Sequence, residues 1–219
     1  MGQKRMKRSL IFTGLIALVV VGGVSSGNVP KVVAQAPAAS AATTRLEIVD
    51  GSTASYRVQE QLAGVNFPND AVGTTPSVTG VLVIMPDGSV NSGQSKLTID
   101  LRNLKSDQDM RDGYIQKRTL ETDKFPLAEF VPKRVQGLPS PLPVMGQAGF
   151  QLVGDMTIHG MTSEVTWTGV ATFNRDQVAG RSTTNFTFAT FGLMKPTLAR
   201  LLSVDDKIQL EVVFKFKRS

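Results

Sequence analysis

From residue 45 onward, apolar and polar residues alternate with a period of two through most of the chain. The longest strict run is Ile208, Leu210, Val212, Phe214 and Phe216, set against Gln209, Glu211, Val213, Lys215 and Lys217. A period of two predicts a β-strand with one buried face. Phe150–Val170 holds two such runs, through Leu152 and Met156-Thr157-Ile158 and then through Val165-Thr166-Trp167-Thr168. Between them stands His159-Gly160, where the glycine supplies the positive φ of a tight turn, so this stretch predicts a β-hairpin. It contains the chain's single His and single Trp. Further strands are expected at Leu46–Val49, Ser55–Val58, Val78–Met85, Leu97–Leu101, Ala128–Val131 (ended by Pro132), Val170–Phe173 and Thr183–Ala189. Val58–Ser77, broken by Gly64, Pro68-Asn69-Asp70 and Gly73, reads as a loop or a frayed edge, and Gly137–Pro143 as an exposed proline-rich connection.

One helix is well marked. Ser106 followed by Asp109 has the form of a capping box, Asp107, Asp109 and Asp112 lie early and Lys117 and Arg118 late, and this order complements the helix dipole. Met110 and Tyr114, four apart, offer one face for burial, and the helix should stop before Phe125-Pro126. Pro196–Leu202 suggests a second short helix before the last strand. Eight to ten strands, each with one apolar face, must pack sheet on sheet or close on themselves. Closure removes exposed edges, and about eight strands leave a lumen wide enough for one small ligand or a filling of side chains.

The N-terminus departs from this pattern. Lys4, Arg5, Lys7 and Arg8 precede the apolar run Leu10–Val24. At about 15 residues that run is short of the roughly 20 a membrane span needs. A basic start and a short apolar run describe a secretory signal over residues 1–36, with an uncleaved anchor as the alternative, and either places the body outside the cytoplasm, periplasmic or secreted. Residues 37–44, rich in Ala, Ser, Thr and Pro, read as a disordered linker, and 45–219 as the folded domain. The formal charge of +6 belongs mostly to the leader, because outside residues 1–36 there are 19 basic and 18 acidic residues. A body so nearly neutral lacks the basic footprint nucleic-acid binding needs. With no Cys there is no disulfide framework and no thiolate chemistry.

Four stretches carry a resemblance: Ser95–Asp100, Arg111-Asp112 within the helix, Phe125-Pro126 followed by Glu129-Phe130, and Asp155–Thr162 through the hairpin turn. Their order and spacing, with Phe191-Gly192-Leu193 and the run from Val204 into the last strand, resemble the YceI-like family of extracytoplasmic, polyisoprenoid-binding proteins. The resemblance covers roughly residues 45–217. Met156 and Met161 stand where Leu and Val are commoner, and Gly113-Tyr114 where His-Leu is more usual. The resemblance implies an all-β, antiparallel, lipocalin-like barrel of about eight strands, holding a long isoprenoid, a quinone-like lipid or a similar amphiphile in its lumen. It implies no other cofactor.

In a barrel, core and ligand site share the inward face, so some inward aromatics and methionines should touch a bound chain. Phe130, Met156, Trp167, Phe186 and Phe188 are the lumen candidates. Arg111 and His159 are candidates for contact with a polar head group. For His159 the competing role is a turn residue bonded to nearby backbone, and for Arg111 a tie between the helix and its neighbours. Asp107, Asp109 and Asp112 do not fit a calcium loop, since Arg111 and Asp112 occupy its fifth and sixth positions. No metal site is expected. The leading reading is a non-enzymatic lipid carrier; an enzyme acting on a lipid-like substrate and a partner-binding module with a filled core are the alternatives. The sequence accommodates a homodimer without specifying one.

Overall fold

The last strand carries most of the architecture. The protein is seen here as a computed structural model that describes residues 42–197, 199 and 201–219; the expected leader and the linker as far as residue 41 lie outside the described residues. Eleven strands are found among the described residues: β1 (Thr44–Ile48), β2 (Thr53–Leu62), β3 (Asn69–Thr75), β4 (Val78–Ile84), β5 (Lys96–Asp100), β6 (Lys105–Ser106), β7 (Leu127–Gln136), β8 (Gly146–Ile158), β9 (Met161–Phe173), β10 (Gln177–Thr187) and β11 (Leu201–Arg218). All pairings are antiparallel. The ring β1-β4-β5-β7-β8-β9-β10-β11 closes where Ile48–Leu46 of β1 pairs with Phe216–Arg218 of β11. The wall is therefore an eight-stranded closed barrel.

The three remaining strands extend wall strands already counted. β11 pairs with β1 at its end and with β2 over Leu201–Val213, so β1 and β2 lie end to end along it. At the break between them Gly51 has φ +90°, and the Ser52 hydroxyl accepts from the Lys215 N–H (2.9 Å) and donates to the Val49 carbonyl (2.9 Å). β3 likewise runs on into β4 across Pro76, which has no N–H to give a ladder. β5 runs on toward β6 through a short turn at Leu101–Asn103, where the Asp100 carboxylate accepts the Arg102 N–H at 3.0 Å. Past Leu101 and Pro126 the β5 and β7 strands part, and the helical segment α1 (Asp109–Tyr114), continued by a wider π-type turn over Ile115–Thr119, occupies the connection from β6 to β7.

The two halves of the barrel are filled differently. At the β1 end, Leu46, Leu82, Ile84, Phe173, Val178, Phe214 and Phe216 form a buried apolar cluster that leaves only a small void of about 90 Å³. Leu142 of the proline-rich connection is buried among them, and Arg218 donates to the Pro143 carbonyl at 2.7 Å. The connection is exposed at Gly137, Pro139, Ser140 and Pro141, as expected, but Leu142 turns inward and closes this end, because the ring of strands leaves that apolar side chain a seat. At the β2 end the inward positions Ala54, Ala71 and Thr75 are small, and there the interior is not filled.

Several expectations are corrected. Val58–Ser77 is a hairpin, β2 to β3, whose pairing runs Ala54↔Thr75 to Glu60↔Asn69; partner strands override its weak β propensity. β7 continues through Pro132, because a register shift between Pro132 and Arg134 removes the need for its missing N–H. Ser106 does not cap α1. Its hydroxyl donates to Asp112 Oδ1 at 2.6 Å, and Gln108 takes the N-cap position. Met110 is 78% exposed rather than buried against Tyr114. The second short helix is not formed at Leu201 and Leu202, which begin β11, nor at Pro196 and Thr197, which lie outside any helix; β2 supplies ladder partners from Leu62 onward.

Candidate functional site

The unfilled half of the barrel is an apolar cavity of about 820 Å³. Its walls come from β2 (Ala54, Tyr56, Val58), β3 (Ala71, Thr75), β7 (Ala128), β8 (Met156, Ile158), β9 (Trp167), β10 (Phe186) and β11 (Val204, Ile208, Leu210), with the helical segment closing one side through Arg111, Tyr114 and Ile115. Small residues at three inward positions of β2 and β3, Ala54, Ala71 and Thr75, help leave this space. Gly73 helps: a Cβ there would stand 2.3 Å from the Tyr56 ring, so only glycine lets that ring lie against β3. The mouth is framed by the β2–β3 hairpin tip (Leu62, Ala63, Val65), the start of α1 (Gln108, Met110) and the chain leading into β11 (Pro196, Ala199, Leu201).

Four of the five lumen candidates, Met156, Trp167, Phe186 and Phe188, line this cavity. Phe130 does not. It packs edge-on against Trp167, ring centroids 6.2 Å apart, and lines a separate void of about 90 Å³ on the closed side. Trp167 touches both spaces and so stands at the floor of the larger one. Its indole N–H is buried without a partner.

Arg111 lines the cavity, but its guanidinium is already engaged. It reaches Glu60 at 2.7 Å and is also paired with Asp107, and both Arg111 and Glu60 are largely buried. Asn69 donates to the same Glu60 oxygen at 3.3 Å. This network ties the helical segment to β2 and β3. Hydrogen bonding to Arg111 holds the Asp107 carboxyl below the usual carboxylate range. His159 does not line the cavity. It takes a positive φ of 52° in the β8–β9 turn beside Gly160 at 74°, its Nε2 lies 2.8 Å from Glu121 Oε2, and its ring stands edge-on to Phe125. Glu121, bonded first to Lys124 and then to His159, is also held below its ordinary pKa. Both carboxylates are thereby biased toward the charged form, unlike a general acid, which needs a raised value. The structure thus brings Arg111 and four apolar candidates to one cavity and leaves Phe130 and His159 outside it. Sequence reasoning missed Glu60 and the small inward residues of β2 and β3. The one signal for them was the alternation Ala54, Tyr56, Val58, Glu60.

Tyr56 gives a pH signature for this wall. Burial, reinforced by Asp112 and Glu60 against an opposing Arg111, pushes its hydroxyl up from 10.0 to about 12. An unfolded chain releases this proton near pH 10 while the folded one keeps it. The stability contribution is therefore complete below pH 10 and lost as pH rises toward 12, by about 2–3 kcal/mol. Urea unfolding at mildly and strongly alkaline pH is expected to show that loss in the native sequence and a smaller one in Tyr56→Phe.

Comparison with protein-family models matches residues 34–216 to the YceI-like domain. No curated protein is matched. Among solved structures, a polyisoprenoid binding domain from Saccharophagus degradans implicated in plant cell wall breakdown is similar at 13% identity, with a TM-score of 0.62 over 80% of this chain and 98% of that one. BcnA of Burkholderia cenocepacia is similar at 17% identity and a TM-score of 0.55, over 75% and 95% of the two chains. The Campylobacter jejuni YceI protein is similar at 13% identity and a TM-score of 0.50, over 67% and 84%. These likenesses agree on one closed barrel, and the family match spans nearly all of it: the chain belongs to the YceI-like family.

Proposed function

We propose that this protein is an extracytoplasmic carrier that holds a polyisoprenoid or similar long-chain amphiphilic lipid in its barrel lumen and catalyses no reaction. The observation that carries the reading is the apolar cavity of about 820 Å³ with an exposed mouth; ligand sites commonly span about 300–1,000 Å³. Burial of apolar carbon contributes about 0.8 kcal/mol per CH₂, so about twenty carbons supply ~16 kcal/mol before costs. Immobilising the chain and the ligand removes about 4–15 kcal/mol of that. Hydrocarbon contact alone can therefore support useful affinity. Arg111 has little spare capacity for a head group, since Glu60 and Asp107 already satisfy it. The polyisoprenoid-binding description of the Saccharophagus relative points the same way. The basic start and short apolar run of the leader support an extracytoplasmic location.

Trp167 is the chain's single tryptophan and lines the cavity floor, so its fluorescence reports on the lumen. Titration with a prenylated benzoquinone whose tail matches the cavity is expected to quench that emission saturably, at micromolar concentrations or below. Emission that stays unchanged, or falls only linearly as by random collision, would overturn the carrier reading.

A further inference from the structure

We propose that the rim of the cavity mouth docks on the surface of a lipid bilayer, an inference that rests on the carrier reading above. Eleven large apolar side chains are markedly exposed among the described residues, and five of them belong to the segments that frame the mouth. Val65 and Met110 line the cavity and yet are 45% and 78% exposed, so greasy surface runs without a break from the lumen to the outside. Phe67, 78% exposed, stands two residues beyond Val65 in the hairpin tip. Leu202, 66% exposed, follows the lining residue Leu201, which pairs with Leu62 at the foot of that tip. Met194, 61% exposed, follows the lining residue Leu193. Exposed apolar groups from three separate stretches thus line, or lie close in the chain to residues that line, one opening.

Among the described residues, several charges near the rim are matched in pairs. Arg57 meets Asp70 at 2.5 Å, Arg111 meets Glu60 and Asp107, Lys105 meets Asp112 at 3.7 Å, and Lys195 meets Asp206 at 3.4 Å. Docking would therefore work by apolar insertion, with little dependence on anionic lipid or salt. A bilayer is the occupant this chemistry favours, because it is the other resting place of a long-chain cargo. Each CH₂ exposed to water on the way out lowers the transfer equilibrium about fourfold. A rim seated in the membrane surface lets the tail pass without crossing water.

The test is flotation of the purified full chain with neutral phosphatidylcholine vesicles at low and high salt, with the variants Phe67→Ser/Leu202→Ser and Met145→Ser. Phe67 and Leu202 flank the mouth without lining the cavity, whereas Met145 is exposed beside the proline-rich closure of the opposite end. The native sequence is expected to float in both salts and the rim variant to lose about tenfold or more in partition, while Met145→Ser floats normally. The leader is the same in all three, so it cannot produce that difference. Flotation confined to anionic vesicles and abolished by salt, an equal loss in Met145→Ser, or no loss in the rim variant would overturn the proposal. Lipid extracted from the same preparations separates the two readings. A native protein that yields lipid but does not float defeats the rim alone, and one that does neither defeats both.

Discussion

Filling the lumen is expected to abolish ligand retention while leaving the fold as stable or more so. In the double variant Ala54→Trp/Ala71→Trp, two indoles would grow from inward positions of β2 and β3 into the existing cavity of about 820 Å³. Excluding even two or three CH₂ groups of a bound chain costs about 2 kcal/mol, more than tenfold in affinity, and two indoles exclude more than that. Over-packing destabilises because a close-packed core has no room to give. Here there is room, and cavity filling commonly adds about 0.5–2 kcal/mol. Equilibrium binding of a radiolabelled prenyl quinone, together with thermal unfolding of the same samples, checks both halves. A variant that binds as tightly as the native chain would show that the cavity is not the site. A variant that loses binding only because it unfolds would show that the space is not available to side chains.

The second large effect concerns the strut between the helical segment and β2. Arg111→Met leaves Glu60, 8% exposed, beside the lumen without its main cation. Breaking one partner from a buried pair costs about 3–5 kcal/mol, because the remaining charge stays desolvated. Removing both charges in Glu60→Leu/Arg111→Met is expected to restore most of that stability, since an apolar pair of similar size suits the surrounding wall. Urea denaturation of the two single variants and the double variant gives the coupling directly. Additive losses would mean that the pair contributes little. Lipid retention by the double variant would assign Arg111 to holding the helix rather than to a head group; loss of binding from a well-folded double variant would return it to ligand contact.

The parts legible in the sequence are those where local pattern and final environment agree. The β8–β9 hairpin is one: alternation continues on both sides of His159-Gly160, and the turn demands the positive φ that Gly160 takes readily. The last strand is another, although it proves longer than its strict alternation, because β2 supplies partners back to Leu201. The β2–β3 hairpin was illegible for the opposite reason. Asn69, Asp70, Ala71 and Gly73 have weak strand propensity, and only pairing with β2 makes them a strand. Two of these residues also shape the lumen: Ala71 lines it and Gly73 makes room for the Tyr56 ring, so part of what hid the strand helps create the site. Leu142 was hidden by its flanking prolines, which mark a connection without revealing that its leucine is seated in the barrel end. Phe130 and Trp167 look equivalent as inward aromatics, and neither spacing nor composition indicates on which side of the packed floor each ring falls. The Arg111–Glu60 pair joins residues 51 positions apart, a distance no local pattern spans.

Native mass spectrometry of the protein purified without detergent, followed by organic extraction and lipid analysis, bears most directly on the lumen. A single population heavier than the apoprotein by one long-chain amphiphile per barrel, absent from Ala54→Trp/Ala71→Trp, is the expected result. A native protein of bare polypeptide mass that also takes up no added prenyl lipid would contradict the account.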